Sequence, residues 1–403
     1  MIQRELYMKK VRPFIDKDII KVMTGIRRCG KSVMLKLIQQ ELLSMGRKKE
    51  QIFSLNFESQ LLPFSRDIGS ASMYLQNLLQ NASSKMYLFF DEVQELPGWE
   101  KLINSLMIDF DVDIYITGSN AYLLSSELAT YLSGRYTEIR IYPFSFSEVL
   151  EIEAGTQQSE AELFIKYITY GGMPFLYQYQ LQGQEALQYL GDIFDSIILK
   201  DVTQRNQIRD VGMFKKVLLY FISGIGQTYS VSGIQKFLKS EQRRISLETL
   251  YNYIEYCKEA CILHLVSRED LIGKRLLQFQ EKIYLTDHGL REAVYGNNQR
   301  DIGQILENIV YMELLRKGYT VTIGKTGELE VDFVAHRSSE KFYVQVAYLL
   351  LDESTVEREF RALENIPDNY PKYVVTMDEI NRSRNGIKHV NIRKFLLMEK
   401  YDL

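Results

Sequence analysis

The first 142 residues alternate short apolar runs with stretches in which apolar residues recur every three to four positions. Short uninterrupted apolar runs are typical of strands buried on both faces of a parallel sheet. The longer repeat is typical of helices that bury one face. The pattern therefore predicts a parallel sheet flanked by helices. Strands are expected at residues 19–24, 51–59, 86–94, 112–120 and 137–142, and helices at 31–46 and 121–136.

The rest of the chain changes pattern three times, which predicts three further domains after a core at residues 1–142. Residues 143–210 are mainly helical in pattern. Residues 211–287 show three helices and then two strands, the layout of a winged helix-turn-helix. Residues 299–403 begin with a strongly amphipathic helix at 301–319, and strands follow it. The predicted fold class is therefore α/β multidomain.

Composition and charge are those of an ordinary globular protein. The 403 residues are 46% hydrophobic and 25% charged, with a formal net charge of −3. Such a balance gives no overall basic field that would indicate nucleic acid or a membrane surface. No apolar run approaches the ~18 residues of a membrane helix, and three cysteines are too few for a disulfide framework. These features predict a cytoplasmic protein with no membrane partner.

A glycine-rich turn joins the first predicted strand to the first predicted helix. Gly25, Gly30, Lys31 and Ser32 fit the spacing G-x-x-x-x-G-K-[ST] at every fixed position. The amides of such a loop and of the helix that follows attract phosphate oxygens, so Lys31 would reach the β- and γ-phosphates and Ser32 would serve a Mg²⁺ ion. The predicted nucleotide-binding residues of the loop are Gly25, Ile26, Arg27, Arg28, Cys29, Gly30, Lys31, Ser32 and Val33.

Polar side chains also end the third and fourth predicted strands. Asp91 and Glu92 end one, and Ser119 and Asn120 end the other. Because the carboxyl ends of parallel strands share one edge, where ligands bind, these groups are expected beside the loop. Asp91 is placed to hold Mg²⁺ and Glu92 to orient or deprotonate an attacking water. Ser119 or Asn120 would contact the γ-phosphate.

The three motifs resemble the Walker A, Walker B and sensor 1 elements of AAA+ ATPases. The resemblance implies that Asn56 or Glu58 restrains Glu92. It also places Arg135 where an arginine reaches the γ-phosphate of a neighbouring subunit, which requires a homo-oligomer. A surface arginine near a helix C-terminus is the alternative interpretation of that residue. The catalytic residues implied are Lys31, Glu92, Asn120 and Arg135.

Nearly the whole chain resembles prokaryotic ATP-binding proteins that pair an AAA_14 ATPase domain with a C-terminal DUF4143 domain. The resemblance is carried by the stretches GIRRCGKS, FFDEVQ, GSN, SGRY, YPFSFSEVL, GGMP and EVDFVA in that order. It implies ATP as the ligand and a helical lid at 143–210. Gly172-Met173-Pro174 in this lid is similar to the Gly-x-Pro element of signal-transduction ATPases, so Pro174 would touch the nucleotide. A simple break between two helices is the alternative.

The winged-helix pattern raises the question of DNA binding. The helix expected to enter a groove, residues 246–260, carries Glu248, Glu255 and Glu259 against Lys258. Contact with phosphates requires cations, so these charges do not favour DNA. DNA binding stays open for this domain, and so does a structural role or an interaction with an unknown protein.

The C-terminal residues 299–403 resemble the restriction-endonuclease-like fold, in which a helix glutamate, an aspartate and a (D/E)-x-K strand motif hold a metal. Glu307 and Asp332 match the first two positions, but the third carboxylate is Gln345 and the lysine is Ala347. An amide is a weaker Mg²⁺ ligand than a carboxylate, and alanine cannot stabilise developing charge. The segment also carries 15 Lys or Arg against 17 Asp or Glu, too few cations for a duplex-gripping surface. A catalytically degenerate domain is predicted.

The sequence thus predicts a Mg²⁺-dependent ATPase, with three uses of ATP open. A nucleotide-controlled switch that acts on a partner is favoured, because Glu92 is present and basic character is weak. An oligomeric DNA-dependent motor is the first alternative. An ATP-stabilised assembly or binding protein without significant turnover is the second.

Overall fold

The computed structural model describes residues 2–119, 134–240, 242–273 and 275–401, with the backbone alone at 275–280. The chain separates into two compact units. Unit 1 comprises Met1–Tyr142 with Glu259–Cys261, and unit 2 comprises Pro143–Lys258 with Ile262–Leu403. Across the described ranges, none of the helices has the length and apolar character needed to cross a membrane.

Unit 1 is built on a parallel sheet of five described strands. They are β1 (Ile20–Thr24), β2 (Ile52–Asn56), β3 (Met86–Asp91), β4 (Val112–Thr117) and β5 (Tyr136–Arg140). Their order across the sheet is β2-β3-β4-β1-β5, and every neighbouring pair is parallel. The strands β1, β3 and β4 are buried along their whole length, because both faces of the sheet are covered. The parallel sheet flanked by helices is therefore confirmed.

Four described helices accompany this sheet. They are α1 (Glu5–Val11), α2 (Lys31–Ser44), α3 (Ile68–Gln80) and α4 (Trp99–Asp109). Apolar residues of α3 and α4, such as Leu75 and Leu102, share one core cluster with Leu88 and Ile114 of the sheet. Most of the helix expected at 121–136 lies outside the described residues.

Unit 2 begins with helices. The helices before its sheet are α5 (Phe146–Ile152), α6 (Glu160–Tyr170), α7 (Pro174–Gln178), α8 (Gly183–Ser196), a π-helical segment (Ile197–Gln204), α9 (Val211–Ser223), α10 (Val231–Ser240) and α11 (Leu247–Glu259). Capping boxes start α5 and α6: Ser145 and Glu148 exchange hydrogen bonds with each other's amides, as do Ser159 and Glu162.

The turn between α6 and α7 packs closely against other backbone of unit 2. The Phe144 amide donates to the Gly172 carbonyl at 2.7 Å, and the Gly172 amide donates to Asp287 Oδ2 at 2.8 Å. A Cβ on Gly172 would lie 2.2 Å from the Phe144 carbonyl oxygen, and Gly171 has a φ of +74°. Pro174 then occupies the first helical position, where its missing N–H costs nothing. Close packing within unit 2 accounts for the two glycines.

Replacing Gly172 with alanine is expected to lower the free energy of unfolding by about 3 kcal/mol, because the new Cβ meets a backbone carbonyl that has little room to move. Urea denaturation followed by circular dichroism measures the change. Gly191→Ala is the matched control: its Cβ in α8 would meet no atom within 4 Å. That change should be neutral or stabilise by up to ~1 kcal/mol. Equal midpoints for the two variants would contradict the packing argument.

The sheet of unit 2 is mixed and has seven described strands. They are β6 (Leu263–Asp270), β7 (Arg275–Leu285), β8 (Thr320–Thr326), β9 (Leu329–Arg337), β10 (Glu340–Val346), β11 (Lys372–Thr376) and β12 (Ile387–Asn391), in the order β12-β11-β10-β9-β8-β6-β7. β6 pairs antiparallel with β7 and parallel with β8. The two strands expected to form the wing of a separate domain thus continue into the C-terminal sheet. This sheet spans the expected boundary between residues 287 and 299, because β6 is hydrogen-bonded along both edges.

Four more helices complete unit 2: α12 (His288–Val294), α13 (Ile302–Arg316), α14 (Glu353–Glu364) and α15 (Ile392–Leu397). Every side chain of α13 from Ile305 to Leu314 is buried, so the prediction of a strongly amphipathic helix was wrong. The reason is that α13 contacts β7 to β10 and also α12 and α15. Its polar side chains have internal partners; Asn308, for example, bonds both the amide and the carbonyl of Leu285.

Candidate functional site

The loop between β1 and α2 holds two glycines in left-handed backbone conformations. Gly25 has a φ of +144° and Gly30 a φ of +104°, which residues with a Cβ adopt only with strain. A Cβ on Gly25 would also lie 2.1 Å from the Ile141 carbonyl oxygen. The loop leads directly into α2, whose first amides have no acceptor within the helix. This arrangement has the chemistry of an anion site.

Lys31 is the first residue of α2 and is 4% exposed. Its Nζ donates to the Gly25 carbonyl at 3.0 Å and to the Ile26 carbonyl at 3.3 Å. The same nitrogen lies 3.9 Å from Glu92 Oε1. The ammonium is therefore held over the loop and beside the end of β3.

A second cation, which the sequence did not indicate, anchors the same loop. Arg4 precedes α1, is almost fully buried, and donates to the Cys29 carbonyl at 3.0 Å and to the Tyr142 carbonyl at 2.7 Å. No motif surrounds Arg4, and its partners are distant in the chain, so only the fold reveals the contact. Burial raises the pKa of the Cys29 thiol, which keeps that side chain protonated and unreactive.

Two buried carboxylates follow one another at the end of β3. Asp91 is the last residue of the strand and lies in register with Asn56 of β2. Burial raises the pKa of Asp91, and hydrogen bonds from Thr117 and Ser32 oppose that rise. Glu92 follows with a φ of +52°. Non-glycine residues in this conformation are strained and cluster at functional sites.

Three polar neighbours hold these carboxylates, and the sequence predicted only one of them. Thr117 at the end of β4 donates to Asp91 and accepts from the Glu92 amide at 2.9 Å. Asn56 donates to Asp91 Oδ2 at 3.2 Å. It therefore restrains Asp91, whereas the expectation was that it restrains Glu92. Gln94 donates to Glu92 Oε2 at 2.6 Å. The sequence signals for the other two were weak: Thr117 is a hydroxyl residue at a strand end, and Gln94 is an amide residue two positions after Glu92.

The other predicted loop residues differ in exposure. Ile26 is buried and Val33 is exposed. Arg27 Nη1 lies 3.4 Å from Glu58 Oε1, and Arg28 is exposed with a φ of +68°. Glu58 therefore pairs with the loop's arginine, and the restraint predicted on Glu92 from this residue is absent from the described contacts.

Arg135 is the one described residue among the other unit 1 predictions that lies away from this cluster. Asn120 lies outside the described residues, and Ser119 before it is buried. Arg135 is exposed just before β5, with Nη1 3.5 Å from Asn104 Oδ1. Because the strands are parallel, that end of β5 lies at the opposite edge of the sheet from the loop. Pro174 belongs to unit 2, at the start of α7.

The residues present fit a magnesium-assisted nucleotide site. Ser32 is exposed and its hydroxyl bonds to Asp91, and this pair is oxygen-ligand chemistry that suits Mg²⁺. Protein-bound Mg²⁺ at nucleotide sites takes most other ligands from water and phosphate. No group of three or more His, Cys, Asp or Glu residues in the described ranges is arranged to hold a metal by itself.

Glu307 and Asp332, the two carboxylates expected at a nuclease-like centre, lie with Glu330 around a lysine in unit 2. Lys282 Nζ lies 2.9 Å from Glu307 Oε1, 2.7 Å from Glu330 Oε1 and 3.5 Å from Asp332 Oδ1. Burial disfavours the ammonium, but these three carboxylates raise the pKa of Lys282 above its ordinary value. An internal cation thus lies beside Glu307 and Asp332, the two carboxylates that the resemblance assigned to a metal. The sequence did not indicate Lys282, because it comes from β7 and not from the C-terminal motif.

Gln345, at the position of the missing carboxylate, is used within the protein. Its Nε2 donates to Glu359 Oε2 at 3.0 Å, and its Oε1 accepts from the Asp332 amide at 3.3 Å. Asp332 Oδ2 accepts from the Val346 amide at 2.8 Å. Burial raises the pKa of Asp332 to about 8, Glu307 adds to the rise and Lys282 opposes it. These contacts form a closed internal network.

Two family models match the chain. Residues 17–150 match AAA_14, described as an AAA domain, which confirms the expected AAA-type domain. Residues 161–301 match DUF8612, a domain of unknown function. The second match differs from the DUF4143 domain implied by the resemblance, and it lies in the middle of the chain.

Full-length relatives occur in a bacterium and an archaeon. An uncharacterised protein of Haemophilus influenzae is 38% identical over 400 residues, which cover 98% of this chain and 99% of that protein. An uncharacterised protein of Methanocaldococcus jannaschii is 29% identical over 419 residues, covering 97% and 90% respectively. The Aeropyrum pernix ORC1 protein, solved in complex with DNA, is 12% identical over 72% of this chain and 90% of that one. Its TM-score of 0.31 is too low to indicate a shared overall fold.

Proposed function

The chain belongs to the same protein family as its Haemophilus influenzae relative and carries an AAA domain, and from this we propose that it binds and hydrolyses ATP as a nucleotide-controlled switch. The observation that carries the proposal is the convergence of Lys31, Asp91 and Glu92 at one edge of a parallel sheet. Lys31 Nζ lies 3.9 Å from Glu92, and Thr117 bridges Asp91 and the Glu92 amide. Ion pairing or core packing alone would not require these three residues beside a glycine-rich loop, whereas binding of a phosphate and a metal does.

Each residue of the cluster has a definite task in this proposal. The loop amides and Lys31 bind the phosphates, and Ser32 with Asp91 would hold Mg²⁺, which neutralises phosphate charge when bound. Glu92 orients and deprotonates the attacking water. Asn120 and Arg135 would sense or stabilise the γ-phosphate, with Arg135 acting on a neighbouring subunit.

The contacts of Lys31 and Glu92 favour a switch over a passive ATP-stabilised protein. The Lys31 ammonium bonds to two carbonyls of its own loop, and Gln94 holds Glu92. A phosphate competes with these carbonyls for Lys31, and a bound water competes with Gln94 for Glu92. Nucleotide binding is therefore coupled to rearrangement at the loop and at the end of β3. A buried, strained glutamate beside the loop is also expected of an enzyme that turns ATP over.

Replacing Lys31 with alanine is expected to weaken ATP binding by about 10- to 100-fold, the loss that follows from removing a charged hydrogen-bond donor. Isothermal titration calorimetry with ATP and Mg²⁺ measures this. Lys36→Ala is the matched control, because Lys36 is an exposed lysine on the same helix; it should bind like the parent chain. Equal affinities for both variants would remove Lys31 from the site.

Turnover at increasing protein concentration, with and without duplex and branched DNA, separates the three uses of ATP. A rise with concentration and again with DNA supports an oligomeric DNA-dependent motor with Arg135 in trans. Slow turnover that changes neither with protein concentration nor with added DNA supports the switch. ATP binding without measurable turnover supports an assembly protein.

A further inference from the structure

An open groove in unit 2 lies between α9, α10 and the end of α12. Its volume is about 450 Å³. The groove is mainly apolar, and its lining includes Lys216, Tyr220, Phe237, Arg243 and Tyr295. No part of the candidate ATP site contributes to it.

Three aromatic side chains in this groove are partly exposed. Tyr220 is 37% exposed, Tyr295 46% and Phe237 47%. The ring centroids of Tyr220 and Phe237 are 5.4 Å apart, with planes tilted by 40°. Isolated exposed apolar residues are common on proteins, but a contiguous group that lines a concavity marks a binding site.

Both cations that border the groove, Lys216 and Arg243, are exposed. Among the described residues, neither Lys216 nor Arg243 forms an ion pair with an acidic side chain. The segment 211–245 holds six Lys or Arg and one Asp or Glu, although the whole chain has a net charge of −3. Lys216 and Arg243 are the two of these cations that line the groove, and their complement is an anionic partner.

We propose that this groove binds single-stranded nucleic acid, with bases stacked on Phe237 and Tyr220 and phosphates bound by Lys216 and Arg243. Exposed rings next to exposed cations are the combination that single strands require, because every base has a face that can stack and every linkage carries a negative charge. The pairing of rings with cations favours this partner over an acidic peptide with aliphatic anchors.

Duplex DNA fits the same region less well. A helix that reads a duplex must protrude into the major groove and carry cations toward the phosphates. The exposed side of α11 instead presents Glu248 and Glu255, and Lys258 is paired with Glu255 at 2.8 Å. The aromatic rings lie in a concavity, where an unstacked base can enter but a base pair within a duplex cannot.

Fluorescence anisotropy on the full chain, without ATP, tests the proposal directly. The probes are labelled oligothymidine of about 20 nucleotides, a duplex of the same length and a labelled polyglutamate peptide. We expect the single strand to bind more tightly than the duplex, and the peptide to bind weakly. Phe237→Leu keeps an apolar side chain but removes the ring, so it should weaken binding of the single strand about 5- to 100-fold.

Charge reversal gives an independent readout. Lys216→Glu with Arg243→Glu should weaken binding and flatten its logarithmic salt dependence by about 1.4, at ~0.7 for each phosphate contact. Lys49→Glu with Lys394→Glu is the matched control, since both lysines are exposed and lie outside the groove; its slope should stay close to that of the parent chain.

Three results would overturn the proposal: no binding of the single strand at about 50 mM salt, equal loss in both charge-reversal variants, or full affinity in Phe237→Leu. Preference for polyglutamate over the single strand would assign the groove to an acidic protein segment instead. None of these outcomes depends on ATP hydrolysis, so failure here leaves the proposed ATPase function intact.

Discussion

Replacing Glu92 with glutamine is expected to lower ATP turnover by about 10²- to 10⁴-fold, the contribution usual for a positioned general base. The amide cannot accept the proton of the attacking water, although it fills the same space. Binding of ATP should change little, because the loop amides and Lys31 remain. The glutamine should also keep the hydrogen bond from Gln94, since its Oε1 accepts as the carboxylate does.

Single-turnover hydrolysis and ATP titration, run on the same preparation, distinguish loss of chemistry from loss of binding. Glu95→Gln is the matched control: it makes the same chemical change at an exposed residue three positions further on. The control should hydrolyse ATP at the parent rate. Parent-like turnover in Glu92→Gln would refute the role of Glu92 as base, and a matching loss of ATP affinity would assign it a binding role instead.

The core of unit 1 was predictable because its information is local in the sequence. Each apolar run corresponds to a strand within a few residues, and the loop glycines are required by positive φ angles and by the approach of Ile141. Parallel strands then bring Asp91 and the end of β4 to the loop, so one motif predicts the position of the others.

Contacts between distant segments were not predictable, although they complete the same site. Arg4, which precedes α1, bonds the carbonyls of Cys29 and Tyr142. Thr117 of β4 bonds Asp91 of the neighbouring strand β3. Arginine and threonine are common residues, and neither belongs to a spaced motif. Their roles follow only when strand order and register are known.

Unit 2 differs from the prediction because residues from segments that are distant in the sequence pair with one another and bury one another there. The strand that carries Lys282 was assigned to a wing, yet it belongs to the same sheet as Asp332. The (D/E)-x-K motif lacks its lysine, because residue 347 is alanine. In the fold, Lys282 of β7 places a cation beside Asp332. The burial of α13 on all sides has the same origin, since polar residues at 307 and 308 find partners in β7.

Replacing Lys282 with methionine is expected to lower the free energy of unfolding by about 3–5 kcal/mol, because it leaves buried carboxylates without their counter-ion. Methionine preserves the length and much of the volume of the side chain, so the change isolates the charge. Equilibrium urea denaturation measures the effect. Lys215→Met is the matched control: Lys215 pairs with Asp195 at 2.8 Å, but both side chains are exposed. That change should cost less than ~1 kcal/mol.

The pH dependence separates charge from packing in the Lys282 variant. Burial raises the pKa of Asp332 to about 8, with Glu307 adding to the rise, and loss of the ammonium raises it further. A carboxyl whose pKa is higher in the folded state than in the unfolded state favours folding as pH falls, because the folded state then takes up more protons. The part of the destabilisation that Asp332 carries should therefore be largest at pH above 8 and be lost as the pH falls through about 8. A deficit independent of pH would attribute the loss to packing, and Lys282 would then not be the cation that neutralises this cluster.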